Sequence, residues 1–330
     1  MSYVSVLGHI VYTGLASPIG DMETDLFYKP SGGTTVYLNL ARDLSRVNSK
    51  NEEVTTRDGH VYGYMVDFKL TGLGATAMTI LTAPNSWKMR NAFRKFHAYR
   101  DIMFDNAGIE GDELGRYGKT MRPLLDIGQN PDGSSDLVPF TENSDLTTYP
   151  SGWDIDGGEW TYTKLATTPI YNADKPIVAE EKWADEFDLH ICEENQVQGA
   201  SAESSGYYKS VGMIHSYNID RMEVLTPNFI EVVDGPSNPL AALISSGNQA
   251  TGEVLEIAID QELETPPYDQ VDAGDSIQTL VKGFAASTAE VPNLRMTAFL
   301  PAGLARLKFG ANNSLLEVKV LGKVLCKDMA

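Results

Sequence analysis

The sequence predicts a mainly β chain, folded as two sandwich or barrel units with short helical insertions. Three observations carry that expectation. Runs of β-branched and aromatic residues, several in two-residue alternation, recur along most of the chain. The runs are short and are punctuated by Pro, Gly and Asn clusters. Helical spacing is confined to two places, so the strand–helix alternation of a parallel α/β fold is absent.

In chain order, the first half predicts strands over 3–13, 34–40, 60–70 and 77–81. Thr34-Thr35-Val36-Tyr37-Leu38-Asn39-Leu40 shows the alternation most plainly, and the Gly-rich stretch 71–74 turns the third run into the fourth. The second half predicts strands over 159–166, 187–192, 208–219, 254–260, 279–285, 294–300, 304–309 and 315–325. With shorter candidates the total is roughly fourteen to sixteen, which needs more than one pair of sheets. One segment is helical: Asn85 or Ser86 caps its start and Gly108 ends it. Met89, Ala92, Phe93, Phe96, Tyr99, Met103 and Ala107 fall on one face of it. A second, shorter helix is predicted over 239–246. The polar stretch 128–158, with three prolines and several glycines, reads as the connection between units of 1–150 and 151–330. Residues 196–206 read as an exposed loop. A faint echo between 80–85 and 224–228 fits two similar halves.

Composition narrows the function. Of 330 residues, 42 % are hydrophobic and 22 % charged, enough for a sizeable core. No run approaches the ~18 apolar residues of a membrane span, and the start of the chain lacks the basic region of a secretory signal. The formal charge is −19, and residues 151–330 carry most of it. Such a field disfavours wrapping nucleic acid through a basic arm; the first twenty residues contain no Lys or Arg. Two cysteines, Cys192 and Cys326, read as buried thiols rather than a disulfide framework.

Motifs for chemistry fail on inspection. Gly118-Lys119-Thr120 lacks the earlier glycine of a phosphate loop, since Glu113 stands there, and Pro123 obstructs the helix start. Residues 72–77 match a dinucleotide fingerprint in letters, but no helix follows them to meet a pyrophosphate. The five histidines show no ligand spacing, and there is no Cys-x-x-Cys or nucleophile elbow. No catalytic residue, cofactor site or resident metal is therefore assigned. Asp154, Asp156 and Glu159 form a fragment of a calcium loop without its closing Glu, and Asp269, Asp272 and Asp275 sit in another acidic loop. Both read as solvated loops, Ca²⁺ being the one ion they would suit.

The predicted helix carries an anomaly. Lys88, Arg90, Arg94, Lys95, His97 and Arg100 crowd its first two-thirds, and Asp101 and Asp105 come last. That order opposes the helix dipole, which favours acids first by ~0.3–1 kcal/mol each. Either acidic loops of the same subunit neutralise the helix, or Lys88, Arg90, Arg94, Lys95 and Arg100 face a neighbouring subunit or an anionic lipid surface.

Residues 34–40, the turn, 60–70 and the helix 87–108 resemble viral jelly-roll capsid proteins. So does the closing run Phe299-Leu300-Pro301-Ala302-Gly303-Leu304-Ala305-Arg306-Leu307, followed by Leu315-Leu316-Glu317-Val318-Lys319-Val320-Leu321-Gly322. Length, strand number and two helices are similar to the double jelly-roll major capsid proteins of small lipid-containing single-stranded DNA bacteriophages. The resemblance implies a jelly roll in 1–150 and another in 151–330. It implies no enzyme activity. Homotrimers would tile an icosahedral virion shell over an internal membrane, assembled in the host cytoplasm. The partners implied are other copies, neighbouring capsomers, further virion proteins such as a vertex protein, and a lipid membrane; sequence-specific nucleic acid is not among them. Two alternatives stand beside it: a single jelly-roll capsid protein with long insertions, and a secreted β-sandwich protein that binds or cleaves glycans, for which Trp87, Trp153, Trp160 and Trp183 would supply platforms.

Overall fold

The computed structural model describes residues 22–72, 74–109, 120–130, 132–141, 154–166, 186–192, 210–214, 216–217 and 279–326. Within them the chain is mainly β. Strands β1 (Asp25–Tyr28), β2 (Thr35–Asn39), β3 (Tyr62–Gly72) and β4 (Ala77–Thr82) come from the N-terminal quarter. Strands β8 (Leu280–Ala286), β9 (Asn293–Pro301), β10 (Leu304–Phe309) and β11 (Ser314–Leu325) come from the C-terminal end. Between them lie β5 (Lys164–Ala166), β6 (Glu186–His190) and β7 (Ser210–Gly212). Helix α1 (Leu40–Asn48) follows β2, and α2 (Trp87–Asn106) follows β4.

The eight outer strands form two antiparallel sheets, ordered β1-β11-β3-β9 and β2-β10-β4-β8. Their facing sides close on one apolar core. Tyr64, Val66, Phe68 and Leu70 of β3 alternate inward against Leu38, Met78, Ile80, Leu307, Leu316 and Val318. Two outward residues of β3 are charged and paired: Asp67 with Arg295, and Lys69 with Glu317. A third, small sheet has the order β5-β6-β7 and is joined to the loop before it through Leu124, whose N–H donates to Leu189 O at 2.8 Å.

Every ladder of the sandwich joins a strand of 25–82 to a strand of 280–325. A jelly roll closed within 1–150 was the expectation; residues 1–150 supply only half of the sandwich observed, and the boundary expected near 150 falls inside the long excursion between β4 and β8. The stretch 128–158, expected as a connection, is instead docked where it is described. Residues 135–140 seal one side of the sandwich: Tyr37 N–H donates to Ser135 O at 2.9 Å, Leu137 N–H to Tyr37 O at 2.7 Å, and Phe140 N–H to Phe27 O at 3.0 Å. The predicted strands over 3–13 and 254–260, the helix over 239–246, the loop 196–206 and the echo at 224–228 lie outside the described residues.

Candidate functional site

Helix α2 begins where Pro84 ends the strand and the Ser86 side chain accepts from Met89 N–H. Its apolar face (Met89, Ala92, Phe93 and Phe96) packs in a second core with Val54, Val61, Leu125, Leu189, Ile191, Ala302 and Leu304. This layer covers one end of the sandwich and fixes which way the basic face points.

The five basic residues singled out by their order divide sharply. Lys88 is buried, its Nζ 5.7 Å from the Trp87 ring centre. Arg90 turns back on the helix start and donates to Asn85 Oδ1 at 3.1 Å. Lys95 donates to Ser216 O and Oγ, each at 2.9 Å. Arg100 donates to Thr120 O at 3.2 Å and to His97 Nδ1 at 2.8 Å; burial lowers its pKa. A guanidinium only donates, so His97 Nδ1 accepts and the ring proton on Nε2 reaches Thr55 Oγ1 at 2.9 Å. Gly59, at φ +82°, allows residues 55–61 to lie against that ring. Arg94 alone of the five is exposed.

Arg94 opens on a groove of about 650 Å³ lined also by Arg57, Asn91, Lys95, Asp101 and Tyr217. Asp58 joins the lining, giving three cations against two carboxylates, so the groove is a weakly positive island on a chain of −19. Tyr217 stands edge-on to Trp87 at 6.1 Å, and its hydroxyl accepts from Asn91 Nδ2 at 3.2 Å. This arrangement suits an acidic surface. His97, which also lines the groove, accepts from Arg100 at Nδ1 and so donates from Nε2 to Thr55 Oγ1 rather than taking a proton from that hydroxyl.

A second cleft, of about 510 Å³, is lined by Arg46, Asp132, Glu159, Trp160, Lys164 and Asp188 around a buried ionic cluster. In that cluster Arg42 Nε meets Asp43 Oδ1 at 2.8 Å and Arg42 Nη1 meets Asp136 Oδ2 at 2.7 Å, the side chains being 3 % exposed for Arg42 and 0 % for each Asp. Arg42 Nη2 also donates to Leu137 O. Tyr28 OH donates to Asp43 at 2.7 Å, Tyr162 OH to Asp136 at 2.6 Å and Gln129 Nε2 to Asp136 at 2.8 Å. Burial raises the pKa of both carboxyls, and Arg42 opposes the rise. A neighbouring staple, Asp126, accepts from Tyr37 OH at 2.6 Å and pairs with Arg306 at 2.8 Å. These groups tie Asp126, Gln129, Asp136, Leu137 and Tyr162 to β1, β2, α1 and β10, and bonding chiefly with one another gives them a structural role.

Among the described residues no group of three or more His, Cys, Asp or Glu is placed to hold a metal ion, and no helix is long and apolar enough to cross a membrane. Asp154, Asp156 and Glu159 are described but form no such group; the loop of Asp269, Asp272 and Asp275 lies outside the described residues. Cys192 and Cys326 are buried and unbridged, burial pushing the Cys326 thiol up to about 12. The groove residues Arg57 and Tyr217 were not legible from the order of charges on α2, since they arrive from segments far along the chain. No known protein family, curated protein or solved structure matches this chain.

Proposed function

We propose that this chain is a self-assembling structural subunit, a major capsid protein whose wall is one jelly roll with a long insertion between its fourth and fifth strands. The supporting observation is the strand order. Counted in chain order, the eight sandwich strands lie 1-8-3-6 in one sheet and 2-7-4-5 in the other, the order produced by folding two Greek keys into facing sheets. Jelly rolls also serve in lectins and cupins, so fold analogy alone does not select a shell. The surfaces add weight. The polar clusters are consumed in docking the insertion, while an apolar edge and a positive groove are left for partners. Among the described residues one such sandwich is present, built from both ends of the chain, and this favours one jelly roll with a long insertion. With Lys88, Arg90, Lys95 and Arg100 engaged within the subunit, a neighbouring copy rather than a lipid surface is the partner assigned to α2, through Arg94. Trimeric capsomers in an icosahedral virion shell are the assembly expected. Sedimentation velocity and negative-stain microscopy of the purified protein test this: defined oligomers or closed particles are expected, and a monomer at every concentration and salt level would refute it.

The cleft with Asp132, Glu159, Asp188 and Trp160 favours a second reading, a glycan-binding sandwich. Against it, the Arg122 guanidinium lies over the Trp160 ring, 4.1 Å from its centre, and occupies one face of it. Binding or hydrolysis of a glycan panel, lost in Trp160→Ala, would overturn the shell reading.

A further inference from the structure

The two open sides of the sandwich are finished differently. On the β1/β2 side, residues 135–140 give backbone hydrogen bonds to both edge strands. On the other side β8 ends its sheet, with β4 as its only strand partner among the described residues. Its backbone groups on the far side form a template for another strand. Apolar side chains stand outward on it: Val281 is 60 % and Phe284 68 % exposed. Gly283 faces the core, where an added Cβ would lie 3.1 Å from Met296 Sδ, so Phe284 turns outward beside Thr79.

The edge also rejects one partner. The register against β4 slips between Ile80 and Leu81, which makes Lys282 an extra, bulged residue. A β8–β8 pair centred on the bulge would set two bulges and two lysines against each other, a repulsion that a strand without basic residues avoids. The first twenty residues contain no Asp, Glu, Lys or Arg, in a chain that is 22 % charged. Residues 3–13, Tyr-Val-Ser-Val-Leu-Gly-His-Ile-Val-Tyr-Thr, have the composition of a strand.

We propose that β8 accepts residues 3–13 of a neighbouring copy as an added strand. This rests on the self-assembly reading and names its contact. The chain enters β1 at the far edge of the other sheet, and Glu23 is pinned to Asn48 of α1 through its N–H at 2.7 Å and its C=O at 3.0 Å. Residues 14–21 span at most about 29 Å. Within one copy they would have to skirt the end of the sandwich covered by α1, residues 49–61 and α2; a neighbour's β8 requires no such detour. Addition would pair the open backbone groups, cover Phe284 and Val281, and fix subunit orientation.

The test uses the full chain. Copies bearing Val4→Cys, Val6→Cys or Val11→Cys are co-assembled with copies bearing Phe284→Cys, oxidised and run on a non-reducing gel. A disulfide-linked pair is expected in the mixtures and not in either copy alone. Phe284→Asp should leave the circular dichroism of the subunit unchanged and raise the concentration needed for assembly by about tenfold or more. Normal assembly of the mixtures with no cross-link overturns this inference and leaves the self-assembly reading standing. A wild-type chain that stays monomeric overturns both.

Discussion

Replacing Arg42 with Met probes the deepest polar feature of the molecule. The guanidinium sits between two carboxylates, at 2.8 Å from Asp43 and 2.7 Å from Asp136, with both acids 0 % exposed. Met keeps most of the stem's volume and removes the charge. Asp43 keeps Tyr28 OH, and Asp136 keeps Tyr162 OH and Gln129, but two buried anions are left without a cation. Removing one partner of a buried pair costs about 3–5 kcal/mol, against a total stability of about 5–15 kcal/mol for a domain. The pH dependence carries the sign. Both carboxyls already have raised pKa values in the folded state because of burial, and loss of Arg42 raises them further. A folded pKa above the unfolded one means that stability is greatest at low pH and is lost as pH rises through the folded value. Arg42→Met should therefore be most deficient at pH 7.5 and recover toward wild type as the pH is lowered to 5. Urea unfolding followed by circular dichroism at both pH values measures this as a wild-type-minus-variant difference. A deficit below about 0.5 kcal/mol, or one that grows on acidification, would refute the reasoning.

Other expectations follow from single contacts. Gly59→Val places a β-branched residue at φ +82° with its Cβ 3.0 Å from the His97 ring; a loss of at least about 1–3 kcal/mol is expected in thermal unfolding. Ser86→Ala removes the N-cap of α2 and should cost about 1 kcal/mol, read in the same assay. Arg94→Ala, at an exposed position, should shift unfolding by no more than about 0.5 kcal/mol while weakening salt-sensitive association in sedimentation. Arg100→Ala should do the reverse, lowering the melting temperature by stranding Thr120 O and His97 Nδ1.

Local pattern made much of the sandwich legible. The alternation over 60–70 and the runs over 294–300, 304–309 and 315–325 predict β3, β9, β10 and β11 to within a few residues, because each buries one face against a single core. Helix α2 was legible from its three- and four-residue spacing and its Ser cap. Two elements escaped. Strand β1, Asp25–Tyr28, is too short to display a period. Helix α1 starts directly from the last residue of β2, with Asn39 serving as strand end and N-cap at once; the signal was present in Asn39, Leu40, Ala41 and Leu44, masked by the strand before it. The site was less legible. Charge order marked α2, but the burial of Lys88 and the engagement of Lys95 by Ser216 depend on segments that only the fold brings together. Arg42 and Asp136 stand 94 positions apart, and no local pattern announces such a pair.

Strand pairing shows how the two ends of the sequence share one sandwich. No sandwich ladder joins two strands of 25–82, and none joins two strands of 280–325. Each set alone has its apolar faces and no hydrogen-bonded neighbour within the set. A sheet therefore requires both ends of the chain, with loop closure over the whole excursion between β4 and β8, a slow topology in which edges stay open until late. In such a chain a strand period reports burial but not the partner, so two half-sets of strands look like two sandwiches. The same topology leaves β8 as the last strand of its sheet among the described residues, paired there with β4 alone. An edge retained with Phe284 outward is a stability liability for a solitary molecule and a binding surface for an assembling one. On the proposed reading self-assembly resolves that opposition, because a neighbour's strand would cover the edge.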